Sequence, residues 1–236
     1  MICWFQQGAN LPYNLDKIHN LTILREGKIM IKDKSIQLFL DELAGKASTP
    51  GGGSAAAIIG AMGAALISMV ANFTVGKKGY ENVDVEARMI LDKSENLRAQ
   101  LTDMIKADVD VFNRVMGAYG MAKDTDEQKA VRTSEIQSAL KEAADVPLAC
   151  ARLAAEVIKL CQPIAEKGNR NVISDAGVAV LAGQAALRSA ALNVYINIGG
   201  IKDEAFVADR RKQLEDIMVG MDELTEAVYQ LVKSKL

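Results

Sequence analysis

The chain has 236 residues, of which 50% are hydrophobic and 5% are aromatic, enough for one domain with a sizeable core. Its formal net charge of -2 argues against nucleic acid as the main partner, because phosphate backbones require a basic protein face. The three cysteines have no metal-ligand spacing and predict buried, reduced thiols, so we expect a cytoplasmic protein without disulfides.

The first 29 residues differ from the rest of the chain. They contain the only histidine, His19, and show no sustained helical periodicity. The segment Arg25-Glu26-Gly27-Lys28 could be encoded by the purine-rich codons of a ribosome-binding site. We therefore predict an appendage at 1–29 and a helical domain at 30–236, and hypothesise that translation begins at Met30. An intact mass that includes residues 1–29, measured on the protein from its own host, would exclude this later start.

A glycine-rich motif, Thr49-Pro-Gly-Gly-Gly-Ser54, follows a short predicted helix that begins at Ser35 and ends by Ala47 or Ser48. Its three glycines allow a backbone to approach a ligand or another helix closely. Ser54 can cap the next helix, whose first-turn N–H groups attract an anion. The motif lacks the Gly-Lys-Ser/Thr ending of a Walker A sequence, so it predicts ligand binding without indicating a nucleotide.

Apolar periodicity predicts five further helices and no strand, which makes the fold all-α. They run from Ser54 to Val75, from Asp84 to about Tyr119, from Asp124 to about Cys161, from about Ser174 to Ile198, and from Asp203 to about Lys233. Pro147 is expected to kink its helix or split it in two, and Pro163 and Gly168 mark the connection that follows. The predicted architecture is a bundle of long helices with two central helices rich in small residues.

The second and fifth predicted helices are apolar enough to raise the question of a membrane. The fifth contains Asp175, Gln184 and Arg188, and both contain more Ala and Gly than a typical membrane span. This composition favours buried helices of a soluble bundle, so no membrane partner is expected.

These two helices carry matching stripes of small and polar residues. At 100° per residue, one face of the second helix collects Ser54, Ala61, Ala65, Ser68 and Asn72. The fifth helix repeats the layout with Asp175, Ala182, Ala186, Ser189, Asn193 and Asn197. Either the Ser and Asn side chains bond each other or preceding carbonyls within packed helices, or the two stripes face one another and form a site.

Acid/base chemistry in this chain is restricted to a few residue types. Without His19 there is no histidine, which excludes a Ser-His-Asp triad, and no Cys/His cluster indicates a zinc or other metal site. Asp175 is the leading carboxylate because it opens an otherwise apolar helix, a position that an ordinary first-turn acid also occupies. Asp108 and Asp110 lie two residues apart on a helix, so at most one of them faces inward.

Five segments together carry a resemblance to a known family. They are Thr49-Pro-Gly-Gly-Gly-Ser54, Met69-Val-Ala-Asn72, Val75-Gly-Lys-Lys78 with Tyr80, Ser174-Asp-Ala-Gly-Val-Ala179, and Ala190-Ala-Leu-Asn193 with Ile196-Asn197. From about Ile31 to the C-terminus, the ordered set resembles the formiminotransferase-cyclodeaminase C-terminal domain family. That family includes formiminotetrahydrofolate cyclodeaminases and methenyltetrahydrofolate cyclohydrolases. Gly79 and Arg170 depart from its pattern, in which a basic residue and a proline are common at these positions.

The resemblance implies an all-helical domain that forms a homodimer and binds a reduced folate as its substrate, with no other cofactor. The folate would lie in a groove that involves the glycine motif and the Ser-Asp-Ala-Gly segment. Lys77 and Lys78 would hold the glutamate tail, while hydroxyl and amide groups would bind the pterin. The alternative for the two lysines is that they only stabilise the C-terminal end of the preceding helix through its dipole. The implied substrate-binding residues are Gly51, Gly52, Gly53, Ser54, Ser68, Asn72, Lys78, Tyr80, Ser189, Asn193 and Asn197. Asp175 is the first candidate for proton transfer, with Asp108 and Lys77 as supporting acid/base or electrostatic groups.

Two sibling reactions fit such a pocket. In the cyclodeaminase reaction, N10 attacks the formimino carbon on N5, and ammonia leaves to give the 5,10-methenyl cation. In the cyclohydrolase reaction, water attacks that carbon and the ring opens to the 10-formyl compound. The cyclodeaminase is our first interpretation and the cyclohydrolase the alternative. Two further alternatives are a dimeric folate-binding or scaffold protein without activity, and a phosphate-binding regulator that uses the glycine motif.

Overall fold

The computed structural model describes residues 33–236. That range contains seven α-helices and no strand, which confirms the all-α class. The helices are α1 (Ile36–Leu43), α2 (Gly52–Asn72), α3 (Asp84–Tyr119), α4 (Asp126–Lys167), α5 (Ile173–Ile198), α6 (Glu204–Met218) and α7 (Met221–Lys233). The appendage predicted at 1–29 and the start at Met30 lie outside the described residues and stay predictions.

Helix α4 runs without interruption through both of its prolines. Its start is set by a capping box, in which Thr125 Oγ1 accepts from the Gln128 N–H and Gln128 Oε1 accepts from the Thr125 N–H. Pro147 does not split the helix, so of the two predicted effects only a kink stays open. Pro163 lies inside the helix rather than in the following connection, so that prediction is wrong. A long alanine-rich face of α4 is buried in the bundle, and this packing outweighs the hydrogen bonds lost at the prolines.

The last predicted helix is divided into α6 and α7. The break falls at Val219 and Gly220, and Gly220 has a φ of +75°, in the left-handed region that glycine adopts without strain. The prediction of one continuous helix from Asp203 to about Lys233 is therefore wrong at this turn.

Helices α2 and α5 form the centre of the bundle and run antiparallel. A methyl group added at Gly60 would lie 3.3 Å from the Ala186 Cβ, and one added at Gly63 would lie 3.1 Å from the Ala179 carbonyl oxygen. The two backbones approach this closely only because glycine and alanine occupy the contact. The predicted pair of central helices rich in small residues is confirmed.

The small and polar stripe of α2 faces α3 rather than α5. Ser54 Oγ donates to the Asp108 carboxylate of α3 at 2.7 Å, and the buried Ser68 hydroxyl bonds the Ser94 hydroxyl of α3 at 2.8 Å. Ser68 also donates to the carbonyl of Ala64, one turn earlier in its own helix. The expectation that the two stripes face one another is therefore wrong, because Gly60 and Gly63 form the side of α2 that meets α5.

Two stretches of the described chain are long and apolar enough to cross a membrane, Gly52–Asn72 and Arg170–Ile198. About half of each apolar window is buried inside the bundle, at 56% and 50% respectively. The expectation that no membrane is involved stays a prediction.

Candidate active site

A cavity of about 300 Å³ lies at the amino end of α2. The glycine motif and two asparagines of α5 form one side of it, through Ser48, Thr49, Gly51, Gly52, Gly53, Asn193 and Asn197. Helices α3 and α4 form the other side, through Asp108, Val111, Phe112, Val115, Leu140 and Ala143. A mostly apolar enclosure with a few convergent polar groups is typical of a small-molecule site.

Asp108 is the one carboxylate among the residues that line this cavity. Its Oδ2 accepts a hydrogen bond from the hydroxyl of Ser54, which is fully buried, so this carboxylate oxygen is held against the first turn of α2. A methyl group added at Gly53 would lie 2.0 Å from Asp108 Oδ1, so glycine is what allows the carboxylate to approach α2 this closely. Asp110 is exposed and ion-paired with Lys106, which agrees with the prediction that at most one of the two aspartates faces inward.

Asn193 and Asn197 bring two side-chain amides to the cavity from the last turns of α5. Asn193 Nδ2 donates to the carbonyl of Ser189 at 2.8 Å, and Asn197 Nδ2 donates to the carbonyl of Ala143 at 2.5 Å. Within the described chain, neither amide oxygen accepts a hydrogen bond from protein. The amide oxygens and Asp108 Oδ1 therefore form a set of acceptors suited to a ligand that carries N–H donors.

Cys150 lies behind Asp108 and does not reach the main cavity. Together with Gly53 and Pro147 it borders a second space about large enough for one water molecule. Burial, and next the negative charge of Asp108, raise the pKa of the Cys150 thiol to about 12. The thiol is therefore neutral at physiological pH and unsuited to act as a nucleophile. As predicted, Cys150 and Cys161 are buried free thiols, while Cys3 lies outside the described residues.

Most of the other sequence-predicted residues lie towards the opposite end of α2 and α5, whereas Ser189 lies one turn before Asn193 on α5 but does not line the cavity. Asp175 is in the first turn of α5, and Asn72 is the last residue of α2. Because α2 has 21 residues, its two ends are roughly 30 Å apart. The expectation that one groove contains both the glycine motif and the Ser-Asp-Ala-Gly segment is therefore wrong for a single protomer.

At this opposite end, hydrogen bonds join the two connecting loops, and two lysine side chains are accessible to solvent. The Tyr80 hydroxyl accepts the backbone N–H of Arg170 at 3.1 Å, and Lys77 Nζ lies 5.6 Å from the centre of the Tyr80 ring. Asn169 ties the two helices together, because its Nδ2 donates to the carbonyl of Phe73 at 2.7 Å. Lys78 is exposed and Lys77 is partly exposed, so both remain accessible to an anionic group.

The cavity thus brings together seven of the predicted residues and leaves seven elsewhere. At the cavity or bonded to its carboxylate are Gly51, Gly52, Gly53, Ser54, Asp108, Asn193 and Asn197. Not lining it are Ser68, Asn72, Lys77, Lys78, Tyr80, Asp175 and Ser189. Sequence reasoning missed the apolar wall of α3, although Val111, Phe112 and Val115 follow Asp108 at the helical spacings of three, four and seven residues.

These features define an all-helical protein with a cavity of small-molecule size, whose described lining residues offer a carboxylate and amides but no imidazole. The chain belongs to the formiminotransferase-cyclodeaminase family, whose model matches residues 35–216. The predicted membership of a family of folate one-carbon enzymes is therefore confirmed.

Three relatives indicate the range of the family. The chain is 58% identical to a methenyltetrahydrofolate cyclohydrolase of Methylorubrum extorquens over 207 residues, which cover 88% of this chain and 100% of the relative. It is 33% identical to the formimidoyltransferase-cyclodeaminase of Rattus norvegicus, covering 79% of this chain but only 34% of that longer protein. The crystal structure of the formiminotetrahydrofolate cyclodeaminase of Thermotoga maritima matches with a TM-score of 0.74 and 37% identity, covering 87% of this chain and 97% of that one.

Proposed function

We propose that this protein hydrolyses 5,10-methenyltetrahydrofolate to 10-formyltetrahydrofolate. The observation that carries the proposal is the 58% identity to a cyclohydrolase over that relative's whole length. The cyclodeaminase reaction, our first interpretation from sequence, is the second candidate, because the similar Thermotoga maritima structure is a cyclodeaminase. Both reactions pass through a tetrahedral carbon between two nitrogens, so one set of groups can serve either.

The cavity suits the pterin end of a reduced folate. The aminopyrimidine ring presents N–H donors beside a carbonyl acceptor, and Asn193 and Asn197 offer amide oxygens to such donors. The first-turn N–H groups of Gly52 and Gly53 have no partner within α2 and can donate to the carbonyl. In the proposed arrangement the apolar wall of α3 covers the ring and excludes water from the reacting carbon.

Asp108 is the group proposed to move the proton. As water attacks the methenyl carbon, the carboxylate accepts one of its protons while the new C–O bond forms. Asp108 then returns that proton to N5 as the C–N5 bond breaks, while the hydroxyl on the tetrahedral carbon releases its remaining proton to solvent and becomes the carbonyl of the formyl group on N10. The negative charge of the carboxylate also stabilises the cationic substrate beside it.

The assay that tests this function supplies the purified protein separately with 5,10-methenyltetrahydrofolate and with 5-formiminotetrahydrofolate. Loss of the methenyl absorbance above the uncatalysed rate, without ammonia release from the formimino compound, is the expected result. Ammonia release with appearance of methenyl absorbance would favour the cyclodeaminase instead. No effect on either compound, together with no rise in melting temperature at excess reduced folate, would overturn both reactions.

We also propose that the protein is a cytoplasmic homodimer built on α2 and α5. Each of these helices exposes a narrow apolar stripe. It consists of Met62 and Met69 on α2, with Phe73 directly after its end, and of Val178, Leu181, Leu192 and Ile196 on α5. Exposed apolar patches of this kind are typical of protein interfaces. If the two-fold axis of the dimer is perpendicular to α2 and α5, these helices run in opposite directions in the two protomers. The lysines and Asp175 of the partner would then lie beside the cavity of the first protomer, where Lys77 and Lys78 could hold the folate glutamate tail.

This arrangement predicts complementation between two inactive variants. If each site uses Asp108 from one protomer and Asp175 from the other, Asp175→Asn should lower turnover by about 100-fold, and loss of the Asp108 carboxylate should lower it by about 1,000-fold. A purified heterodimer of Asp108→Asn and Asp175→Asn chains, made with two different affinity tags, contains one intact site and should recover about half of the wild-type turnover. A heterodimer no more active than the two homodimers would contradict the shared site, and near-normal turnover of the Asp175→Asn homodimer would reject a role for Asp175.

A further inference from the structure

Pro147 lies inside α4, one turn beyond a residue that lines the cavity. In an uninterrupted helix the N–H of residue 147 would donate to the carbonyl of Ala143, four residues earlier. Proline has no N–H, and its ring crowds that carbonyl, so the Ala143 carbonyl has no partner within α4. Ala143 is itself part of the cavity wall, so this free carbonyl is available beside the ligand site.

Asn197 supplies the missing donor from the neighbouring helix. Its Nδ2 donates to the Ala143 carbonyl at 2.5 Å, a partly buried bond that joins α5 to α4. Because a carbonyl oxygen can only accept, the bond determines which end of the amide faces Ala143. Within the described chain Asn197 Oδ1 accepts no hydrogen bond, so it is the acceptor that the amide can offer to a ligand.

The second proline of α4 provides a comparison within the same helix. Pro163 leaves the carbonyl of Lys159 without an intrahelical partner in the same way. No side chain of the described residues donates to the Lys159 carbonyl, and Pro163 does not line the cavity. Of these two prolines, only Pro147 leaves free a carbonyl that then accepts a hydrogen bond from a side chain of the candidate site.

We propose that Pro147 is a positioning residue for folate recognition. By leaving the Ala143 carbonyl free, it holds the Asn197 amide with Oδ1 available to an N–H donor of the pterin. The inference rests on the proposed function for the identity of its ligand. An N–H restored at position 147 would compete for the Ala143 carbonyl and release Asn197 from its fixed orientation.

The test compares Pro147→Ala with the matched control Pro163→Ala. Both changes replace a proline by the best helix former, so both variants should melt at or above the wild-type temperature. Pro147→Ala should raise the KM for the folate substrate by about tenfold with little change in kcat, as expected for one lost ground-state hydrogen bond. Pro163→Ala should leave KM within about twofold of the wild-type value, because it touches no residue of the site.

A double-mutant cycle separates positioning from a general structural effect. Asn197→Ala alone should raise KM by about the same tenfold factor, and adding Pro147→Ala to it should change KM by less than about twofold. An unchanged KM in Asn197→Ala overturns the inference even if the proline variant fails to fold. A full tenfold effect of Pro147→Ala in the Asn197→Ala background overturns it as well.

A measurement without substrate distinguishes this inference from the proposed function. Hydrogen exchange of the Asn197 side-chain amide, followed by NMR, should be faster in Pro147→Ala than in the wild type and unchanged in Pro163→Ala. Equal exchange in the wild type and Pro147→Ala would overturn the positioning role. A wild-type protein that acts on neither folate compound would overturn the proposed function while leaving the exchange result to decide the positioning role.

Discussion

Replacing Asp108 with Asn is expected to lower turnover of 5,10-methenyltetrahydrofolate by about 1,000-fold, the middle of the range for loss of a general base and its charge. The amide has nearly the same shape and can still accept the Ser54 hydroxyl bond, so the first turn of α2 should remain in place. What is lost is the proton acceptor and the negative charge beside the substrate cation. Turnover at saturating substrate, with the melting temperature as a check on folding, measures the effect.

The matched control for this experiment is Asp110→Asn. Asp110 lies two residues further along α3, is exposed, and pairs only with Lys106 at the surface. Exposed ion pairs of this kind contribute little to stability, so turnover and melting temperature should both stay close to wild type. Equal losses in the two variants, or full activity in Asp108→Asn, would show that the Asp108 carboxylate does not perform the proposed proton transfer.

The fold could be predicted from sequence where one local rule acts without competition. Helix α3 begins at Asp84 and ends at Tyr119, as its apolar periodicity predicts. Helix α5 begins at Ile173, one residue before its predicted start, and ends at the predicted Ile198 before the two glycines. Periodicity therefore located the long helices, because a helix with one apolar face has only one way to bury it.

The predictions failed where tertiary packing overrides a local rule. Pro147 is a helix breaker by itself, yet α4 continues through it because the buried face extends on both sides and Asn197 bonds the carbonyl that the proline leaves free. Gly220 gave the opposite error, since a single glycine inside a periodic pattern does not reveal that its φ is positive. In both cases the deciding information is the position of a neighbouring segment, which the local sequence does not contain.

The sequence predicted several residues of the candidate site correctly, but it did not predict which of the named residues lie together. The glycine motif, Asp108 and the two asparagines of α5 were all named from sequence, and the structure brings them to one cavity. The helical periodicity showed which residues share one face of α2, but it did not show which helix packs against that face. The contacts of Ser54 and Ser68 with α3 were therefore not predicted. The sequence reasoning also left out distance along the helix. Asp175 and Asn193 are 18 residues apart on α5, about 27 Å, so they cannot line one small pocket of a single protomer.

The second large expected effect comes from Gly53→Ala. A methyl group at this position would lie 2.0 Å from Asp108 Oδ1 and 2.6 Å from its Cγ, so the carboxylate must move. A displacement of about 1 Å at a catalytic group can cost 100-fold, and turnover should fall by about 300-fold because Asp108 also loses its place beside Ser54. Alanine favours the helix more than glycine by up to about 1 kcal/mol, which offsets part of the cost of the lost Ser54 bond, so the protein should stay folded with a melting temperature only a few degrees lower.

Two comparisons show whether this loss acts through Asp108. Gly117→Ala adds the same methyl group nine residues beyond Asp108 on α3, where no atom lies within 4 Å, and it should leave turnover within about twofold of wild type. In the Asp108→Asn background, Gly53→Ala should lower turnover by less than about threefold, because the group it displaces no longer performs catalysis. A full 300-fold loss in that background would mean that Gly53 serves the ligand directly, through close approach of the α2 backbone, and not through the carboxylate. Wild-type turnover in Gly53→Ala alone would instead mean that the carboxylate acts equally well from a displaced position, which a preorganised base and charge should not tolerate.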